Sequence, residues 1–104
     1  MTNLRDETLK ALKEAGQSPD QIAYIGDRQN SCTWPEFLYA ANRQYNAGYG
    51  AAAVNRDLII TFQDGSWLER AEYDGYEWWV YKKCYVPAVA SSAGELQLFP
   101  VDNG

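Results

Sequence analysis

The sequence predicts a small α+β domain in which two α-helices pack on one face of an antiparallel β-meander of three to five strands. Two Asp-Gly pairs, Asp64-Gly65 and Asp74-Gly75, separate runs of aromatic and β-branched residues. Asp-Gly favours a two-residue type I′ loop because both loop positions need a positive φ. Two helix-capping signals precede this block, and 104 residues with 46% hydrophobic content fit one domain with an ordinary core. The predicted element order is α, β, β, α, β, β, β.

The first predicted element is an amphipathic helix from Asn3 to Ala15. Asn3 is placed to cap its start, and Gly16 is placed to end it in a left-handed conformation. Mostly apolar residues recur with the helical period and form a stripe along one face of this helix. This stripe comprises Leu4, Thr8, Leu9, Leu12 and Ala15.

A second capping signal, Ser18 to Gln21, predicts a single turn before a short strand over Ile22 to Ile25. The sequence Thr33-Trp34-Pro35-Glu36 is a capping box that predicts a second helix running to about Asn46. The residues expected to cover the sheet are Phe37, Leu38, Ala41 and Tyr45.

The glycine-rich stretch 46–53 is not predicted to bind phosphate, because it follows a helix and precedes a strand. Gly48 is interpreted as a residue of the helix C-terminus. Tyr49 is expected either to fold back onto the core or to be an exposed contact residue.

If both Asp-Gly pairs form two-residue loops, the alternation of side chains along the strands defines two faces of the meander. The face expected to be buried carries Leu58, Ile60, Phe62, Trp67, Glu69, Ala71, Trp78 and Val80. The second face carries Ile59, Thr61, Leu68, Arg70, Glu72, Glu77, Trp79 and Tyr81. Because the second face mixes rings with charges, we expect it to be open to a partner.

Three details of this register bear on function. Arg70 lies opposite Trp79, where a cation can stack over the ring. Glu72 lies opposite Glu77, and this repulsion indicates either a binding surface or a screening contact with Arg70. Glu69 falls on the face expected to be buried, so it is either an acid with a raised pKa or a carboxylate paired with Lys82 or an arginine.

Composition narrows the classes of function. The net charge of −5 disfavours direct contact with nucleic acid and suits a basic protein surface. The chain has no His and two distant cysteines, Cys32 and Cys84, so we predict no metal, no cofactor and free buried thiols. No apolar leader or membrane span is visible, which predicts a cytoplasmic protein. Residues 1–87 are expected to form the domain, and 88–104 a flexible tail in which 95–99 can add an edge strand.

A long aromatic block in the meander reads D-L-I-I-T-F-Q-D-G-S-W-L-E-R-A-E-Y-D-G-Y-E-W-W-V-Y-K, and T-W-P-E-F and N-A-G-Y-G precede it. Over about Ile22 to Lys83 the chain resembles a group of small phage and prophage proteins of uncharacterised activity. The resemblance implies a genetic context rather than a mechanism. Small acidic phage proteins without catalytic motifs are similar, by analogy, to inhibitors of host defence such as anti-CRISPR proteins.

We therefore predict a non-enzymatic monomer or homodimer that binds a basic surface of a host protein or ribonucleoprotein complex in the host cytoplasm and inhibits host defence. Trp, Tyr and Arg are the residues that most often anchor interfaces. The predicted partner-binding residues are Arg70, Glu72, Asp74, Tyr76, Glu77, Trp79 and Tyr81. The alternatives are a binder or sponge for a small nucleotide-like ligand, an enzyme that uses Glu69, and a phage assembly protein.

Overall fold

The computed structural model describes residues 1–48, 50–84 and 98–99. The strands are β1 (Thr2–Asn3), β2 (Ile22–Gly26), β3 (Gln44–Tyr45), β4 (Ile59–Phe62), β5 (Trp67–Tyr73) and β6 (Tyr76–Lys82), and the helices are α1 (Leu4–Ala15) and α2 (Trp34–Ala41). The four long strands form an antiparallel sheet in the order β2-β4-β5-β6, and β1 pairs with β3. The predicted α+β class is confirmed, although within the described residues one strand, not two, separates the helices. The predictions for Tyr49 and for most of the tail lie outside the described residues.

Helix α1 begins and ends where the sequence predicts. The Asn3 side chain accepts a hydrogen bond from the Asp6 amide at 3.1 Å, and Gly16 has a φ of 70°. Thr8 and Leu12 are buried, but Leu9 is 42% exposed, so the apolar stripe is narrower than predicted. The helix contacts β6 and α2, which places it on one face of the sheet.

Helix α2 starts at the predicted capping box, in which Thr33 and Glu36 exchange hydrogen bonds, but it ends at Ala41. The residues beyond it leave the helix to build β3, which pairs with β1 at the start of the chain. The prediction of a helix to Asn46 is therefore wrong. Gly48 does not terminate a helix; it bridges Tyr76, whose ring lies 3.1 Å from the position that a Cβ would take.

The hairpin between β5 and β6 has the predicted two-residue type I′ loop. Asp74 and Gly75 have φ values of 50° and 86°, and Tyr73 pairs with Tyr76. The register beyond the turn follows as predicted, with Arg70 opposite Trp79.

The hairpin between β4 and β5 has a three-residue loop instead. The Phe62 amide donates to the Ser66 carbonyl at 2.8 Å, and Gly65 takes a φ of 89°. This arrangement is typical of a turn closed by a glycine in the left-handed region. The extra loop residue shifts the register, so that Leu68 rather than Glu69 lies opposite Ile60.

This shift changes which side of the meander is buried, because one residue of slip moves a whole strand to the opposite face. The face under the helices, called the helical face, carries Ile25, Ile60, Phe62, Leu68, Arg70, Glu72, Glu77, Trp79 and Tyr81. The opposite face, called the open face, carries Tyr24, Ile59, Thr61, Trp67, Glu69, Ala71, Tyr73, Tyr76, Trp78 and Val80. The predicted burial is thus right for β4 and wrong for β5 and β6. The core consists mainly of Leu12, Ile25, Phe37, Ala41, Ile60, Phe62, Leu68 and Trp79.

Candidate functional site

The open face carries a group of exposed rings at the end nearest the Asp74-Gly75 turn. Tyr73 is 75% exposed, Tyr76 is 59% exposed and Trp78 is 42% exposed. Tyr73 and Tyr76 lie directly opposite one another on neighbouring strands, and Trp78 lies two residues along β6 on the same face. Side chains in these relations are neighbours, so the three rings, called the aromatic patch, form one surface.

A polar contact lies at the other end of the open face. Trp67 donates its ring N–H to Glu69 Oε1 at 2.7 Å, and Lys82 Nζ lies 3.3 Å from Glu69 Oε2. The hydrogen bond from Trp67, together with the charge of Lys82, holds the pKa of Glu69 below its usual value despite partial burial. The predicted pairing with Lys82 is confirmed. A lowered pKa is the opposite of what a general acid needs.

The helical face contains a buried charged cluster centred on Arg70, whose side chain is 3% exposed. Its guanidinium lies 2.9 Å from Glu7 and 3.2 Å from Glu77, donates to the Tyr45 hydroxyl at 3.0 Å, and stacks 4.9 Å from the centre of the Trp79 ring. Burial alone would lower the pKa of Arg70, but the contacts with Tyr45 and Glu7 raise it. The predicted Arg70–Trp79 stack is confirmed, and it lies inside the domain.

Glu77 links this cluster to the loop between β3 and β4. Its carboxylate accepts hydrogen bonds from the amides of Ala53 at 2.7 Å and Val54 at 3.1 Å, while its own amide donates to Ala47 at 2.9 Å. Glu72, across the strand from Glu77, pairs with Arg56. The repulsion expected between the two glutamates is therefore relieved by two different arginines. This confirms that Arg70 screens Glu77.

The structure divides the seven predicted partner-binding residues. Arg70, Glu77 and Trp79 are buried, which contradicts the prediction that their face is open. Tyr81 is half-buried, and its hydroxyl accepts from Gln17 at 3.1 Å. The side chain of Glu72 is 25% exposed beside Arg56. Asp74 and Tyr76 are exposed, Tyr76 as a member of the aromatic patch and Asp74 at its rim.

Sequence reasoning missed Tyr73 and Trp78 as surface residues. The signal for Tyr73 was present, because a two-residue loop at Asp74-Gly75 places it beside Tyr76 on one face. The sequence predicts Trp78 in the core because it predicts a two-residue loop at Asp64-Gly65. The third residue of this loop shifts the register by one, and the shift decides which tryptophan of the Trp78-Trp79 pair is buried.

The described residues contain little that resembles a catalytic or metal centre. They include no cluster of three or more metal-binding side chains, and none of their helices has the length and apolar character to cross a membrane. Both cysteines are free, as predicted, but Cys84 is exposed rather than buried. Partial burial raises the pKa of the half-buried Cys32 thiol, which disfavours the reactive thiolate. Comparisons with protein-family models, curated proteins and solved structures found no match.

Proposed function

We propose that the protein is a non-enzymatic binding module that holds a protein partner against the open face of its sheet. The observation that carries the proposal is the aromatic patch, in which three neighbouring rings are 42 to 75% exposed. Large contiguous apolar patches are uncommon on the surface of monomeric domains and often mark interaction sites. Tyr and Trp also dominate the binding energy of measured interfaces.

The charged residues around the patch fit this role. Asp74 lies at its rim, and the Glu69–Lys82 pair closes the other end of the open face with both charges satisfied. A face without an unpaired charge at its centre avoids the desolvation cost that an isolated ion would impose on the complex. The overall charge of −5 favours encounter with a basic partner.

The candidate partner is a host defence protein or ribonucleoprotein complex with a basic surface. This choice rests on the resemblance to phage and prophage proteins and on the acidic charge of the chain. On this proposal the protein acts by occupancy, one molecule per site, and not by turnover.

Affinity capture from a lysate of the bacterial host tests the proposal. Three tagged proteins are compared: the wild type, the double variant Tyr73→Ala, Trp78→Ala, and the matched control Tyr39→Ala, which removes a tyrosine that is 88% exposed on α2. A hot-spot loss of about 2 kcal/mol corresponds to roughly 30-fold in affinity. We expect wild type and Tyr39→Ala to retain the same partner and the double variant to lose it.

The affinity for the purified partner is then measured by calorimetry, with circular dichroism to establish that each variant is folded. Equal affinity of the double variant and the wild type would overturn the site. If Tyr39→Ala retained the partner more weakly than the wild type, or retained different proteins, the binding site would lie on α2 instead. If the captured partner were a substrate that the protein converts, the proposal of a non-enzymatic module would be overturned.

A further inference from the structure

A pocket of about 650 Å³ lies on the helical side of the sheet, beside α2 and far along the chain from the aromatic patch. Its apolar lining includes Phe37, Ala41 and Leu58. The loop before β4 forms another part of the wall through Ala53 and Val54, the two residues whose amides are bonded to Glu77. Its volume is in the range of pockets that hold small molecules, and one wall is fixed in place by a buried carboxylate.

Two opposite charges line this pocket. Glu36 lies in the first turn of α2 and Arg43 lies two residues beyond its end. Hydrogen bonds from Thr33 hold the pKa of Glu36 below its usual value, so the side chain is charged at neutral pH. Among the described residues, neither Glu36 nor Arg43 has an ion-pair partner.

The two charged residues lie near opposite ends of α2. The five residue steps from Glu36 to Ala41 rise about 7.5 Å along the helix, and Arg43 lies two residues beyond its end. Three residues of extended peptide span about 10 Å, which exceeds this helical rise. Gln44 and Asn46, which carry amide side chains, also line the pocket. Amide groups of this kind can bond to a peptide backbone.

From this arrangement we propose that the pocket binds a short apolar peptide, about three residues long, with a free amino terminus and a free carboxyl terminus. The ammonium group faces Glu36, and the carboxylate forms the two parallel hydrogen bonds that a guanidinium offers at Arg43. The apolar side chains lie on Phe37 and Leu58. The pocket shares no lining residue with the aromatic patch, so the peptide site and the proposed protein interface are formed by different residues.

Isothermal titration of the full chain with the peptide Leu-Leu-Leu tests the proposal, with its N-acetylated and C-amidated forms as comparisons. We expect the unblocked peptide to bind and each block to weaken binding roughly 2- to 5-fold, the effect of one partly exposed ion pair. Glu36→Gln should remove the effect of acetylation, and Arg43→Gln should remove the effect of amidation. Glu36→Gln keeps the helix cap, because glutamine also serves in a capping box.

Arg28→Gln is the matched control, since Arg28 is an exposed arginine that does not line the pocket. It should bind the unblocked peptide as the wild type does. Absence of binding heat with the wild type at millimolar peptide would overturn the proposal. So would equal affinity for blocked and unblocked peptides, which would indicate an internal chain segment as the occupant, or equal loss in Arg28→Gln and Arg43→Gln.

Discussion

Arg70 contacts residues that are close to it in the sequence as well as residues that are distant. Its stack on Trp79 and its contact with Glu77 follow from a tight hairpin, so local register is enough to predict them. Its contact with Glu7 joins positions 63 residues apart and depends on where α1 docks. The sequence alone does not predict where α1 docks, so it predicts Arg70 at an interface, whereas Arg70 lies at the centre of a buried cluster.

Tyr45 gives the buried cluster a dependence on alkaline pH. Burial and the hydrogen bond to Glu7 raise the pKa of Tyr45 to about 12 from the ordinary value of 10. Because the folded state favours the neutral phenol, the stabilisation is complete below pH 10 and is lost as the pH rises through 12.

The expected result is that Tyr45→Phe costs about 1 to 2 kcal/mol at pH 8, where two hydrogen bonds are lost, and progressively less between pH 10 and 12. Urea unfolding of both proteins across this range measures the difference in unfolding free energy. Tyr39→Phe, at an exposed tyrosine, serves as the control and should track the wild type throughout. A difference for Tyr45→Phe that does not change with pH would contradict the assignment.

At the scale of elements, the two hairpins explain how far the sequence could predict the fold. Both contain Asp-Gly, and this dipeptide fits a two-residue type I′ loop as well as a longer loop that ends in a left-handed glycine. The Asp64 side chain accepts hydrogen bonds from the Ser66 amide at 2.9 Å and from Gln17 Nε2 at 3.0 Å. Both bonds stabilise the longer loop. Gln17 follows α1, so one of the contacts that stabilise the longer loop is tertiary and is not visible in the local sequence.

The end of α2 has a similar cause. The apolar spacing that includes Tyr45 continues past Ala41 and predicts more helix. The structure instead uses Gln44 and Tyr45 to pair with Asn3 and Thr2, while Asn3 also donates to the Asn42 side chain at 3.0 Å. Backbone pairing with a distant part of the chain cannot be read from local periodicity.

Glu77 connects two elements, β6 and the loop before β4, and its replacement tests that connection. In Glu77→Gln one oxygen acceptor becomes an N–H donor that faces the amides of Ala53 and Val54 or the Arg70 guanidinium. An unsatisfied buried donor and the loss of an ion pair should cost about 3 kcal/mol. Urea unfolding measures this cost, and hydrogen exchange at both amides should accelerate beyond the global change.

The matched control is Glu72→Gln, directly across the strand, where the pair with Arg56 is partly exposed. Its cost should be below about 1 kcal/mol. Equal costs for the two variants would mean that Glu77 contributes no more than a surface ion pair.

For the whole molecule, the decisive feature is a sheet whose two faces have similar composition. Both faces carry tryptophan and both carry an acid beside a base, so hydrophobicity alone did not identify the buried one. The helices decide this, because α1 offers Thr8 to the ring N–H of Trp79 at 2.8 Å. Most polar groups of the helical face have hydrogen-bond partners, although Arg70 Nε has none among the described residues, whereas Tyr73 and Trp78 of the open face remain exposed.

The double variant Trp79→Ala, Arg70→Glu tests this division of the sheet. Removing a buried tryptophan costs about 3 to 5 kcal/mol, and placing a third carboxylate beside Glu7 and Glu77 adds a comparable cost. Because Trp79 and Arg70 are in contact, the costs of the two substitutions do not add strictly. Their sum nevertheless approaches the unfolding free energy of a typical domain, about 5 to 15 kcal/mol.

We therefore expect this variant to be largely unfolded at 25 °C, as measured by circular dichroism and thermal denaturation. The matched variant Trp78→Ala, Lys82→Glu makes the same kinds of change on the open face and should stay folded, since both side chains are 42% or more exposed. If the two variants melted at similar temperatures, the assignment of a buried face and an open face would be wrong. The proposed interface would then lose its basis, because it requires that the open face tolerate substitutions that the helical face does not.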